Sequence, residues 1–467
     1  MTIFGAFDKL NTLQLTHITR KNMTTQAQMK FLTGSTMHHV LTMTATGAIG
    51  LIAVFVVDLL NLFYISRLGH KELAAAIGYS GTLLFFVTSI AIGISIAATA
   101  LTSRALGRGD RHQAKQLSGA SLILMAAIMV CLIVLSLPFL NQLIALLGAT
   151  GETARLAVRF MYIVLPSSIL LGLGMCLSAL LRSVGDARRA MYVTLGAGAA
   201  TAVLDPIFIF GFNLGIDGAA IATSLARVVM VVLGFNAVLK IHGLFAWPPV
   251  SVFKRELKPF MAIALPAVLT QIATPVGNAF VTQSIAQFGD SAVAGWAVIG
   301  RVIPVAFVVL FALSGSIGAI LGQNYGAKRF DRLRSTMNDS MIITVIYVLV
   351  VWLLLALGRN LLADAFGAQG TAHELITFFC VFVAGSFLFN GILFVSNTAF
   401  NNLGFAFYST ALNWGRATLG VIPFVWLGAQ WYGAKGALAG YGLGVVFFGV
   451  LAGVLCFRVL RQIEKQA

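Results

Sequence analysis

Residues 202–228 read AVLDPIFIFGFNLGIDGAAIATSLARV. Two apolar runs meet at a short polar turn, and the first run carries an aspartate, Asp205, with Pro206 directly after it. Each run extends beyond the quoted stretch and is long enough to cross a bilayer, which takes ~20 apolar residues in a helix. The stretch therefore reads as two membrane helices joined by a tight turn, and the rest of the chain repeats the pattern. Of its 467 residues, 59% are hydrophobic and 10% charged, with a mean hydropathy of +0.92. A soluble protein of this length needs a charged surface that these residues do not supply. A membrane β-barrel would show alternating segments of roughly ten residues. The fold class is all-α, a polytopic membrane protein.

Hydropathy places twelve spans near 40–66, 73–103, 118–138, 155–182, 189–212, 217–240, 258–287, 293–323, 335–357, 372–402, 407–428 and 434–457. An even number puts both termini on one side, and that side holds 22 of the 31 Lys and Arg. The opposite loops hold Arg67, Lys71, Arg155, Arg159, Arg359 and Lys435, while Arg227, Arg301 and Arg416 fall inside spans. Such an excess marks the cytoplasmic face, so both termini are expected in the cytoplasm, with the chain in a bacterial inner membrane. The same distribution accounts for the net charge of +16 without a nucleic-acid partner. The four cysteines stand singly in apolar segments and show no disulfide or metal spacing. The seven histidines are placed in tails or loops, with no His/acid set of the kind an enzyme or metal centre needs.

The chain is also duplicated. LLGATGETARL (146–156) faces AFGAQGTAHEL (365–375), and FNLGIDGAAIA (212–222) faces QWYGAKGALAG (430–440), at an offset of roughly 218–220 residues. Repeats of six spans share one topology and form two pseudosymmetric six-helix bundles, a plan that favours a transporter with its site between the halves. The expected organisation is a tail (1–36), an N-lobe (37–240), a linker (241–257), a C-lobe (258–460) and a short C-terminal tail (461–467).

The acids sharpen this. Of fifteen Asp and Glu, only Asp58 and Asp205 lie well within spans. An intramembrane carboxylate costs about 2.5–3.5 kcal/mol on insertion scales and by default marks an ion or proton path. Both sit about seven or eight residues from the outer ends of their spans, at similar depth, and their counterparts in the second half (Asn278, and Ile422–Pro423) are neutral. Pro206 removes a backbone N–H and so frees a carbonyl near Ala202. Thr201, one turn earlier, and Thr223 on the next span offer hydroxyls, with capping of their own helices as the plainer alternative. The site is expected to bind a proton or a sodium ion at Asp58 and Asp205.

The patterns FLTGSTMHHVLTM, VVDLLNLFYISRLGHKELAAAIG, GRGDRHQA, LDPIFIFGFNLGIDGAAIAT and GQNYGAKRFDRL resemble, across essentially the whole chain, the multidrug and toxic compound extrusion (MATE) transporters. That resemblance implies two six-helix bundles and efflux of amphipathic organic cations in exchange for protons or sodium. It implies coupling residues Asp58, Asp205 and Thr223 in the branch whose acids are confined to the N-lobe. Two features depart from it: the first span has no early proline, Thr46 standing opposite Pro266, and Thr201 replaces a common asparagine. Partners are expected to be cationic drugs and membrane lipids, with the protein a monomer. Lining residues are sought among Asn278, Gln283, Trp296, Asn390 and Asn397. The alternative function is a flippase of lipids or lipid-linked oligosaccharides on the same plan.

Overall fold

The computed structural model describes residues 29–66 and 71–465; the tail residues Lys9, Arg20 and Lys21 lie outside them. The first half comprises α1 (Thr36–Ser66), α2 (Lys71–Gly107), α3 (Arg111–Ser136), α4 (Leu140–Leu146), α5 (Gly151–Val164), α6 (Ser168–Ser183), α7 (Ala187–Pro206) and α8 (Gly215–Phe235). The second half comprises α9 (Val250–Ala286), α10 (Asp290–Ala306), α11 (Val308–Gly326), α12 (Phe330–Leu357), α13 (Arg359–Ala365), α14 (Thr371–Phe378), α15 (Phe387–Leu403), α16 (Ala406–Gly415) and α17 (Ile422–Lys465). Among the described residues, 10 helical segments are long and apolar enough to cross a membrane. The pair α5–α6, bent by 54°, makes an eleventh. A break at Tyr432–Gly433 divides α17, which supplies the twelfth.

Helices outrun the apolar cores that hydropathy detects. α3 begins at Arg111 rather than near 118, α12 at Phe330 rather than 335, and α17 continues to Lys465. α9 starts at Val250, inside the expected linker, and α17 runs through most of the expected C-terminal tail. Hydropathy senses only the lipid-immersed part of a helix, whereas backbone hydrogen bonding carries it on through charged residues. For the same reason His38, His39, His112 and His373, expected in tails or loops, sit in the first turns of helices.

The duplication is exact enough to be read from backbone conformation. Left-handed residues recur at Gly148 and Gly367, Gly151 and Gly370, and Gly185 and Gly404, an offset of 219 (367 less 148). Gly109, with φ of 76°, recurs as Lys328 with φ of 56°. The turn is retained there even where a side chain makes it less favourable. Outward-projecting residues repeat as well: Val134 and Leu135 on α3, Leu353 and Leu354 on α12. At this offset the position opposite Asp58 is Gly277, next to Asn278, and the second half remains neutral there.

The halves are joined crosswise. α1 packs on α11 of the other half, and α9 packs on α2. Val40 and Met43 belong to a core made mostly of second-half residues, while Phe260, Ile263 and Ala264 belong to the first-half core. Gly47 lies where α1 meets Ser316, whose hydroxyl donates to the Met43 carbonyl (3.0 Å).

On the side bearing the linker, the seam is closed by a matched pair. Arg104 Nε donates to the Asn402 carbonyl (2.9 Å), and Gln323 Nε2 donates to the Ser183 carbonyl (2.7 Å). Donors and acceptors both differ by 219 residues (323 less 104, 402 less 183). Beside them, a 3₁₀ turn at Lys30–Leu32 is wedged between the halves. Phe31, 1% exposed, donates its N–H to Gln323 Oε1 (3.3 Å) and accepts at its carbonyl from Asn324 and Arg332. Lys30 Nζ donates to the Gly185 carbonyl (3.2 Å) in the first half.

The linker is tied down by charge. Asp186 caps α7 through the Arg189 N–H (3.1 Å) and accepts from His242 Nε2 (2.8 Å). Burial alone would raise its pKa; hydrogen bonds from His242 and Arg189 outweigh that and hold the carboxyl well below the usual range. Replacing Asp186 with Asn keeps an N-cap but removes the charge that Arg189 and His242 pair with, and should cost up to about 1 kcal/mol, measured as a lower thermal midpoint in detergent at pH 7. Because the folded-state value is depressed, the contribution is complete above the ordinary carboxylate value of ~4. It is lost as pH falls below that, so the gap between variant and natural chain should close on acidification.

Candidate functional site

α7 is regular up to Pro206 and then widens into a π-helical turn, Ile207–Gly211. Without an N–H, Pro206 cannot bond the Ala202 carbonyl, and the ladder re-forms one residue wider, with the Phe212 N–H on the Ile207 carbonyl (2.9 Å). Asp205 occupies the last regular turn, and its residue exposure is 0%. Its Oδ2 accepts from Asn61 Nδ2 on α1 (3.0 Å), and its Oδ1 has no hydrogen-bond partner among the described residues.

Asp58 lies three residues before Asn61, so the two share a face of α1. Asp58 is exposed, and no hydrogen bond or ion pair joins it to Asp205 among the described residues. The two aspartates are thus brought to neighbouring positions through α1 and α7, with Asn61 holding the buried one. Asn61 was not among the residues expected from sequence. Its spacing of three from Asp58, in the otherwise apolar run FVVDLLNLF, is the signal that could have found it.

The two threonines separate. Thr201 donates to the Ala197 carbonyl of its own helix (3.1 Å), the ordinary back-bond. Thr223 is half-buried and makes no hydrogen bond among the described residues. Of the residues sought for a substrate surface, Gln283 is exposed and Asn278 half-buried. Trp296, Asn390 and Asn397 are each 7% exposed. Trp296 donates Nε1 to Thr282 Oγ1 (2.9 Å), and the side-chain oxygens of Asn390 and Asn397 have no donor.

Arg227 acquires a role. The α5–α6 bend falls at Leu165–Ser167, where Pro166 interrupts the helix. Arg227 Nη1 donates into that break, reaching the Val164 carbonyl (2.9 Å) and the Ser167 hydroxyl (2.8 Å). Its charge is spent on positioning a broken helix. Arg301 is exposed.

Chemically, the Asp205 pocket offers one carboxylate oxygen fixed by an amide and one bare oxygen in an apolar interior. A bare buried carboxylate oxygen is unfavourable unless it carries a proton or faces a cation. No group of three or more His, Cys, Asp or Glu that could hold a metal exists among the described residues.

Known proteins share this fold. The MatE family model matches residues 48–207 and 266–427. These blocks are one from each half, the first containing Asp58, Asn61 and Asp205. The chain is 29% identical over 434 residues to a FAD transporter of Shewanella oneidensis, covering 91% of this chain and 94% of that protein. It is 26% identical over 356 residues to the multidrug export protein MepA of Staphylococcus aureus, covering 74% and 77%. Its fold matches that of the Vibrio cholerae MATE transporter VcmN in the bent form with a TM-score of 0.87 at 26% identity, covering 92% and 98%. With the family model spread over both six-helix halves, and with the architecture of a MATE transporter, this chain belongs to the MATE family of efflux transporters.

Proposed function

We propose that the protein is a secondary antiporter that exports amphipathic organic cations in exchange for protons entering at Asp58 and Asp205, sodium being the other ion the oxygens suit. The observation that carries this is the state of Asp205: wholly buried, one oxygen held by Asn61 and the other bare. Such a carboxylate changes its environment when it is neutralised, and that change can bias one packing of the halves over another. Asp58, exposed one turn away, is the entry point, and Thr223 is the hydroxyl on the neighbouring helix. Asn278, Gln283, Trp296, Asn390 and Asn397 remain the proposed substrate surface.

The positive-inside distribution supports a bacterial inner membrane with both termini cytoplasmic. On that orientation the closed seam at Arg104 and Gln323 faces the cytoplasm. The protein works as a monomer among lipids, with an N-lobe over 37–240 and a C-lobe over 258–460.

Proteoliposomes with an imposed pH gradient test the reading. Efflux of a fluorescent cationic dye is expected with a proton gradient alone. Drive by sodium alone would make the same pocket a sodium site, and failure of both gradients would reject cation antiport and leave the flippase alternative. A second reading, export of an anionic flavin nucleotide, is favoured by the Shewanella relative and by the buried Arg416. Flavin adenine dinucleotide loaded into the same vesicles tests it directly.

A further inference from the structure

Arg416 begins a π-helical turn, Arg416–Gly420, that interrupts the eleventh span. It lies ten residues beyond Ala406, roughly 15 Å along the helix at 1.5 Å per residue, and is 3% exposed. Its Nη2 donates to Thr274 Oγ1 (2.9 Å) on α9, its guanidinium lies beside the Tyr441 hydroxyl on α17, and its Nε has no partner. No ion pair among the described residues includes it; the acids of the second half that form pairs, Glu256, Asp331 and Glu374, do so near helix ends.

Arg227 and Arg104 spend donors on carbonyls at helix breaks and ends, and Arg182, whose Nε is also bare, lies in the last turn of α6 rather than within a span. Around Arg416 the neighbours are hydroxyls, which accept from the guanidinium and keep a proton to donate. Thr270 and Thr282 on α9 return their hydroxyl protons to their own helix, but Thr274 does not, and its proton has no acceptor among the described residues. The Tyr441 hydroxyl is likewise without an acceptor there. An arginine stays charged at any physiological pH. A permanent cation beside two hydroxyls with protons to donate, and with a free Nε–H, calls for negative charge.

We infer that Arg416, Thr274 and Tyr441 form a binding site for an anionic group in the C-lobe: a halide, or the carboxylate or phosphate of a transported molecule. The planar fork accounts for the preference, since it presents parallel N–H groups to such groups. The two halves then carry opposite polarity, a buried carboxylate in one and a buried guanidinium in the other. The inference goes beyond the antiport reading and concerns binding alone, so either can fail without the other.

The test uses the full chain in detergent, at constant sodium concentration, with gluconate as the reference anion. Thermal midpoints are measured in chloride, in inorganic phosphate and in benzoate. The natural chain is expected to gain several degrees in at least one of them. A response to chloride or phosphate assigns the site to free inorganic anions; a response to benzoate alone assigns it to an acid group on an organic molecule. Arg416→Gln should be flat across all anions, and Arg416→Lys should keep part of the response as a point charge without the fork. If Arg416→Gln does not fold, Thr274→Val and Tyr441→Phe, which remove only hydroxyls, must each weaken the response. Equal midpoints in all anions for the natural chain, or an undiminished response in Arg416→Gln or in both hydroxyl variants, would overturn the site.

Discussion

Asp205→Asn should reduce proton-driven dye efflux to the level of protein-free vesicles, while the purified variant keeps the thermal midpoint of the natural chain or exceeds it. The substitution keeps the shape of the side chain and removes the charge from a position with 0% exposure. The bare Oδ1 then no longer needs a proton or a cation, and the transporter loses the event that couples ion entry to rearrangement. Asn61→Leu leaves Asp205 charged but strips the bond to Oδ2. A hydrogen bond to a charged group is worth about 1.5–3 kcal/mol, so efflux should fall roughly tenfold or more, a factor that corresponds to about 1.4 kcal/mol. Asp58→Asn, at an exposed position with no hydrogen-bond partner among the described residues, should slow efflux and leave a measurable residue. Natural rates in Asp205→Asn would remove this aspartate from the coupling mechanism.

The second large effect is expected at the closed seam. A Cβ on Gly107 would stand 2.0 Å from the Gln323 carbonyl oxygen, and one on Gly326 would stand 2.1 Å from the Arg104 carbonyl oxygen. Both obstacles are backbone, so neither can swing aside, and the two positions are related by the same 219-residue offset (326 less 107). Gly107→Ala and Gly326→Ala should each force α2 and α11 apart where the halves close. Overpacking a tight contact costs about 1–3 kcal/mol, enough to shift a balanced pair of states by tenfold to a hundredfold. Spin labels at His112 and Arg334, on the linker side of α3 and α12, should report longer separations, and dye efflux should fall in proportion. Gly78→Ala and Gly300→Ala, where nothing lies within 4 Å of the added carbon, serve as controls. Unchanged separations and unchanged efflux in the seam variants would show that this contact does not govern closure.

Much of the architecture is legible in the chain because lipid imposes strong rules. Twelve apolar runs, the charge asymmetry and the Gly-rich motifs at 148–151 and 367–370 carry the two-bundle fold, and a buried carboxylate in AVLDPIF announces itself by its cost. What escapes is tertiary pairing. Asn61 is an ordinary amide until α1 is laid against α7, and Thr201 offers the same hydroxyl whether it faces a pocket or its own Ala197 carbonyl. Local backbone choices are equally hidden: hydropathy passes smoothly over Pro166, where α5 and α6 part by 54°. It passes equally over the π-helical turn that begins at Arg416. The same limit applies to Trp296, Asn390 and Asn397, whose depth in the protein, each 7% exposed, follows from tertiary packing alone.

The turn at Lys30–Leu32 has a practical use. It is gripped by Gly185 from one half and by Gln323, Asn324 and Arg332 from the other, so it cannot stay seated when the halves separate on that side. The Phe31 amide is therefore a natural clock. Its deuterium uptake counts the fraction of time spent open, in the unlabelled protein and in lipid. Comparing that uptake at two pH values would read the coupling between ion and motion without following a transported molecule at all.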